Sequence, residues 1–145
     1  MGNIKNNMKK IKKALISISD KKNLKDILII LKKFQIDIIS SGGTFKEIKK
    51  LKFKCKEISK FTNSVEILNG RVKTLHPKIH AGILNKRNNK AHQFQMKKNN
   101  FENIDLVIVN FYPLEETIKK SKNHLKIIEN IDIGGPTMVR AAAKN

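Results

Sequence analysis

Short apolar runs alternate along this chain with stretches whose apolar residues recur every three or four positions, the pattern of an α/β fold. Ala14-Leu15-Ile16-Ser17-Ile18 reads as a first strand. Leu24, Ile27, Leu28 and Leu31 follow at i, i+3, i+4 and i+7, one face of a helix ending near Phe34. Ile36 to Ser40 predicts a second strand, and Thr44-Phe45-Lys46-Glu47 has the form of a capping box opening a second helix through Leu51. Phe53 to Ile58 predicts a third strand. Leu106-Val107-Ile108-Val109 is a bare apolar run, as expected of a parallel strand covered on both faces. In the less regular middle, Pro77 starts a helix to Leu84 and Ala91 to Lys98 predicts another. Leu125 to Glu129 reads as a short helix, and Pro136 stands at the first position of a last one, Thr137 to Lys144.

Composition narrows the class. A chain of 145 residues allows one domain with a sizeable core. Its longest unbroken apolar run is five residues, Ile27 to Leu31, where a membrane span needs about 20, so no membrane partner is expected. The single cysteine, Cys55, excludes an intrachain disulfide and fits a reducing compartment. Residues 1–12 read as a basic flexible tail ahead of a domain over 13–145. The apolar stretch behind the tail is too short for a signal-peptide core, and the tail lacks the Arg and Ser of a transit peptide. A cytoplasmic location is expected.

The net charge of +19 invites a nucleic-acid reading, but its make-up argues against one. There are 28 Lys and only 3 Arg, and Arg supplies the planar fork for bidentate phosphate and guanine contacts. The lysines are scattered in pairs along the whole chain, with no Trp and one Tyr as stacking platforms. Enrichment of Lys together with 22 Ile and 16 Asn points to an A+T-rich coding sequence. No specific nucleic-acid partner is expected.

In open α/β sheets, ligands bind beyond the carboxyl ends of the strands, where helix N-termini present unpaired N–H groups. Several candidate elements fall there. Ser19-Asp20-Lys21 follows the first strand, either as a plain helix cap or as part of a site. Ser41-Gly42-Gly43-Thr44 follows the second, as a phosphate cradle or an ordinary tight turn. It lacks the spacing of the nucleotide-triphosphatase loop. Gly70-Arg71-Val72-Lys73-Thr74-Leu75-His76-Pro77-Lys78 places Arg71 and Lys73 on one side of an extended segment, which suits an anion. His76 and His80 have a metal-like spacing, but Pro77 puts His76 outside the helix, so capping or packing is the better account and no metal site is assigned. Asn110-Phe111-Tyr112-Pro113 closes the apolar strand; the Tyr112 hydroxyl could serve a developing oxyanion or sit at the core rim. Asp132-Ile133-Gly134-Gly135-Pro136 precedes the last helix, and Lys144 lies about 12 Å beyond Pro136 along it.

In this order, these strings resemble the amino-terminal IMP cyclohydrolase domain of the bifunctional AICAR transformylase/IMP cyclohydrolase family. Arg-Val-Lys-Thr-Leu-His-Pro and Asp-Ile-Gly-Gly-Pro with Arg-Ala-Ala-Ala-Lys-Asn carry the likeness, which covers about Lys13 to Asn145. The resemblance implies a three-layer, Rossmann-like, methylglyoxal-synthase-like domain with a mostly parallel sheet. It implies ring closure of formyl-AICAR to IMP without metal or organic cofactor. By matched position, Ser19, Asp20, Lys21, Ser41, Gly42, Gly43, Thr44, Arg71 and Thr74 would hold the nucleotide, with Val72, Asn110, Phe111, Ile133, Gly134 and Gly135 completing the site. Lys73, Tyr112, Asp132 and Lys144 would carry the chemistry. A homodimer is implied, and whether a separate polypeptide supplies the transformylase part is left open by the sequence. The chain departs from the family at Lys22-Asn23, where a glycine is usual, and at Val65, where a proline is usual. It ends one residue after Lys144, so the expectation is a domain without its C-terminal end or its folate-dependent transformylase partner domain, and no formyl transfer. The alternatives within the same fold are a non-catalytic nucleotide- or phosphate-binding domain, methylglyoxal synthase chemistry, and an inactive remnant of the bifunctional enzyme.

Overall fold

The computed structural model describes residues 10–145; the first nine residues of the expected tail lie outside the described residues. The elements are β1 (Lys13–Ser17), α1 (Leu24–Lys33), β2 (Asp37–Ser40), α2 (Gly42–Lys50), β3 (Lys56–Glu57), α3 (Ile58–Thr62), α4 (Pro77–Leu84), α5 (Lys90–Lys98), β4 (Leu106–Val109), α6 (Leu114–Lys120), α7 (His124–Glu129) and α8 (Gly134–Lys144). The four strands form one sheet in the order β3-β2-β1-β4, every pair parallel.

Alternation along β1 explains the layers, because successive side chains point to opposite faces. Ala14 and Ile16 join Leu24, Leu28 and Leu31 of α1, Ile38 of β2 and Ile48 of α2 in one apolar cluster. Leu15 joins Ile39 of β2, Phe61 of α3, Ile79 and Ile83 of α4 and Met138 and Ala141 of α8 in the other. Helices therefore cover both faces, the three-layer α/β arrangement expected. Among the described residues no helix is long and apolar enough to cross a membrane.

Three local expectations are corrected. The helix after β2 does not open at a Thr44–Glu47 capping box: it begins at Gly42, and Thr44 is buried within it. The Thr44 hydroxyl instead donates to the Ile18 carbonyl (2.8 Å) and accepts from the Ile18 N–H (3.1 Å). The third strand shrinks to Lys56–Glu57, because Ile58 turns its apolar side chain into the core as the start of α3. The bare apolar run is covered on both faces as expected: Val107 and Val109 pack against one apolar cluster and Leu106 and Ile108 against the other, and among the described residues β4 pairs only with β1, so its four residues are half-buried. Finally, α8 starts at Gly134, so Pro136 is its third residue. Proline fits there because the first N–H groups of a helix have no intrahelical acceptor.

At the sheet's strand-start end, Lys12, the last residue of the expected tail, is already tied to the fold. Its N–H donates to Asp105 (2.9 Å), and its carbonyl accepts from the Asp37 N–H (2.9 Å). Cys55 is half-buried, and burial pushes its thiol up to about 12, so it has no thiolate character at neutral pH.

Candidate active site

The carboxyl ends of β1, β2 and β4 open onto one region. Where β1 leaves the sheet, Asn110 at the end of β4 straps the following loop. Its Oδ1 accepts from the Ser19 N–H (2.5 Å) and the Asp20 N–H (3.2 Å), and its amide donates to the Asp20 carbonyl (2.8 Å). Asp20 accepts from the Lys22 N–H (2.9 Å), so it closes a turn ahead of α1 and does not cap the helix. Asn23 then takes a left-handed conformation, φ 62°, as the residue before α1. Asn is among the non-glycine residues that most readily adopt it, which accounts for the departure from glycine here.

This loop places Lys21 over the start of α2. The Lys21 ammonium donates to the Ser19 carbonyl (3.0 Å) and lies 3.7 Å from where a Cβ on Gly43 would stand. The Lys73 ammonium lies 3.5 Å from the corresponding point on Gly42, whose φ of +54° suits glycine. Two ammonium groups thus flank the glycines that open a nine-residue helix with no acidic residue in its first turn. Unpaired N–H groups and the positive end of the helix dipole add to the same field, which favours an anion such as a phosphate. Beside them is a cavity of about 240 Å³, lined in part by Ser41, Gly42, Glu57, Glu66 and Lys73.

The segment ahead of α4 supplies the next layer. Ile67 and Val72 form an antiparallel bridge around a 3-10 turn at Leu68–Gly70. Lys73, just beyond it, pairs with Glu66 at 3.4 Å. Arg71 pairs instead with Glu129 of α7, so Arg71 and Lys73 have separate carboxylate partners. Thr74 is buried against the start of α8, where a Cβ on Gly134 would collide with its hydroxyl. His76 caps α4, its Nδ1 accepting from the Lys78 N–H (3.1 Å), as its position before Pro77 suggested. Burial holds the His80 imidazole below its usual pKa, and its Nε2 is enclosed without a partner among the described residues.

The start of α8 completes the arrangement. Asp132 Oδ1 accepts from the Gly135 N–H (2.9 Å), and a Cβ on Gly135 would collide with the same carboxylate and crowd the Phe111 ring. Gly135 therefore lets a carboxylate and an aromatic edge approach the helix backbone, as Gly134 does for the Thr74 hydroxyl. Ile133 and Phe111 are exposed, and so is Tyr112, at 48%. Tyr112 makes no side-chain hydrogen bond among the described residues. Lys144 is not brought in: α8 carries it about 15 Å beyond Gly134. At that end, Asn145 donates to the Ile83 carbonyl (2.7 Å), near the strand starts.

The contacts thus link Ser19, Asp20, Lys21, Gly42, Gly43, Lys73 and Asn110 on one side, and Thr74, Phe111, Asp132, Gly134 and Gly135 on the other. Glu66 was not singled out in the sequence. Asn69-Gly70, a turn dipeptide just before Arg71, was the signal that could have found the hairpin holding it. Among the described residues, no three His, Cys, Asp or Glu side chains gather at one point.

Comparison with known proteins adds three likenesses. The MGS-like domain family matches residues 23–137. Proteins named bifunctional purine biosynthesis protein PurH are similar: that of Prochlorococcus marinus is 53% identical over 133 residues and that of Acetivibrio thermocellus 54% over 136. Those alignments cover 91% and 93% of this chain but 26% of each relative, so the chain spans about a quarter of their length. The crystal structure of ForH superposes with a TM-score of 0.79 at 27% identity, covering 93% of this chain and 69% of that one.

Proposed function

The chain belongs to the MGS-like domain family, and on that premise we propose that it is an IMP cyclohydrolase of purine biosynthesis, closing formyl-AICAR to IMP. The observation that carries the reading is the pair of ammonium groups, Lys21 and Lys73, over the glycines that open α2. A nucleotide phosphate is the ligand such a field suits. The names of the PurH relatives support the pathway, and the resemblance of the Arg71-to-Pro77 and Asp132-to-Pro136 strings supports the step.

In this reaction the carboxamide nitrogen attacks the formyl carbon and gives up a proton, and the formyl oxygen becomes an oxyanion. The oxygen then leaves as water, while the formamide nitrogen loses its own proton to form the ring C=N bond. Both reacting groups belong to one molecule, so orientation supplies much of the acceleration. As the resemblance implies, Lys73, at the Gly42 edge of this field, stabilises the oxyanion and protonates it, and Asp132 accepts the carboxamide proton. Ser19, Asp20, Lys21, Ser41, Gly42 and Gly43 hold the phosphate and ribose; Thr44 acts through Ile18, joining the β1 loop to α2. Roles for Arg71, Tyr112 and Lys144 follow from the resemblance.

The test is conversion of formyl-AICAR to IMP by the purified chain, without added folate or ATP, followed by the ultraviolet absorbance of the purine. The absence of both turnover and any rise in melting temperature with millimolar IMP would sink the reading. A second reading, a nucleotide-binding domain without chemistry, is favoured by the remoteness of Lys144 from Asp132 along α8. It predicts the melting shift without turnover.

A further inference from the structure

Resting on that reading of the site, we infer that Glu66 is a positioning residue for Lys73, fixing its ammonium over Gly42 before substrate arrives. The backbone sets the pair up. Ile67 and Val72 exchange both bridge hydrogen bonds, 3.2 and 3.3 Å, so in antiparallel register residues 66 and 73 are the next opposed pair. Directly opposed side chains in such a ladder interact, and Glu66 meets Lys73 at 3.4 Å.

The surrounding glycines are arranged around this ion pair. Gly70, φ +90°, closes the hairpin turn, and a Cβ there would collide with the Glu66 carboxylate and stand 3.3 Å from the Lys73 ammonium. Gly42 leaves the same ammonium room on its other side, at 3.5 Å. Lys73 is thus held between two backbones that carry no side chain and one carboxylate. A lysine left to itself samples many rotamers, and a group that must meet a developing charge gains from losing that freedom beforehand.

The pair has a second consequence. Glu66 adds a negative charge beside a site suited to anions. A structural salt bridge would only stabilise the fold. A positioning carboxylate instead speeds the chemistry while opposing binding of an anionic nucleotide.

Glu66→Gln, nearly isosteric at a half-exposed position, separates these roles. In the ligand-free protein, the two Hε protons of an immobilised lysine have different NMR shifts, and those of a mobile one coincide. Lys73, assigned with Lys73→Arg, is expected to show separate Hε signals that collapse in Glu66→Gln and persist in Glu66→Asp. In turnover, Glu66→Gln should lower kcat about tenfold or more with KM unchanged or lower, and have no further effect in a Lys73→Ala background. Coincident Lys73 signals in the parent, or separate signals surviving in Glu66→Gln, would overturn the inference. So would an equal loss of turnover with and without Lys73. The spectroscopic arm needs no activity, so an inactive parent would count against the cyclohydrolase reading alone.

Discussion

Two groups of lysines in this molecule differ in what they surround. Around Phe61, Lys13, Lys56 and Lys78 hold their ammonium groups 5.5, 5.6 and 5.0 Å from the ring centroid. Phe61 itself is buried, and Glu102 pairs with Lys13. At the strand ends, Lys21 and Lys73 stand over Gly42 and Gly43, where there is backbone but no side chain. The first group already has its partners: an aromatic face, a carboxylate and the apolar stems packed beneath. The second faces a helix N-terminus and an open cavity, and its one carboxylate, Glu66, pairs with Lys73 and leaves room beside both ammonium groups. High lysine content alone would have produced the first kind of cluster; the second also needs glycines at set positions. What the excess charge of the chain does is decided by what lies under each ammonium.

The largest expected difference between the groups is in turnover. Lys73→Ala and Asp132→Ala should each lower conversion of formyl-AICAR by about two to four orders of magnitude. Lys56→Ala and Lys78→Ala should leave it within about twofold, since neither touches the site. Equal losses from both sets would erase the distinction.

Binding comes next. Gly43 has no positive φ and only Lys21 near its missing Cβ. Gly43→Val should therefore abolish the melting shift given by IMP, while ligand-free stability changes by less than about 1 kcal/mol. Gly42→Val, at φ +54°, should lose the shift and also destabilise the fold by about 1–3 kcal/mol. A melting shift retained in Gly43→Val would remove the phosphate from α2.

The Phe61 group should show itself as stability instead. Lys78→Ala is expected to cost about 0.5–1 kcal/mol in chemical denaturation, the scale of a half-exposed cation–π contact. Glu102 gives the smallest effect and a pH signature. The hydrogen bond from Lys13 holds its carboxyl below the ordinary value of 4.5, against a weaker opposing push from burial. With the folded value depressed, this contribution is complete above about pH 4.5 and is lost as pH falls through the folded value. The pair is open to solvent on the Glu102 side, so the loss should stay under about 1 kcal/mol, and Glu102→Gln should flatten that part of the acid denaturation curve. An unchanged curve would show that the pair contributes nothing.

The sequence by itself determined the α/β alternation, three of the four strands nearly to the residue, and the helices Leu24–Lys33, Pro77–Leu84 and Lys90–Lys98. These follow from local periodicity, turn residues and proline, which act within a few residues. It also marked the candidate residues, because glycines after strands and an Arg-x-Lys string carry a recognisable chemistry. Tertiary structure decided the rest. Asn110 straps Ser19 across 91 positions, and no local pattern encodes that bond. Thr44 had a capping spacing, but Ile18, 26 positions away, took its hydroxyl. Glu66 and Lys73 meet only because a short hairpin sets their register, and Arg71, two residues from Lys73, goes to Glu129 instead. The Leu106–Val109 run is covered on both faces as its pattern implied, but its place at the end of the sheet order, beside β1, is not encoded in it. Periodicity shows which side chains share a face; which faces and charges then meet depends on strand order and loop path, set by the packing of the whole chain.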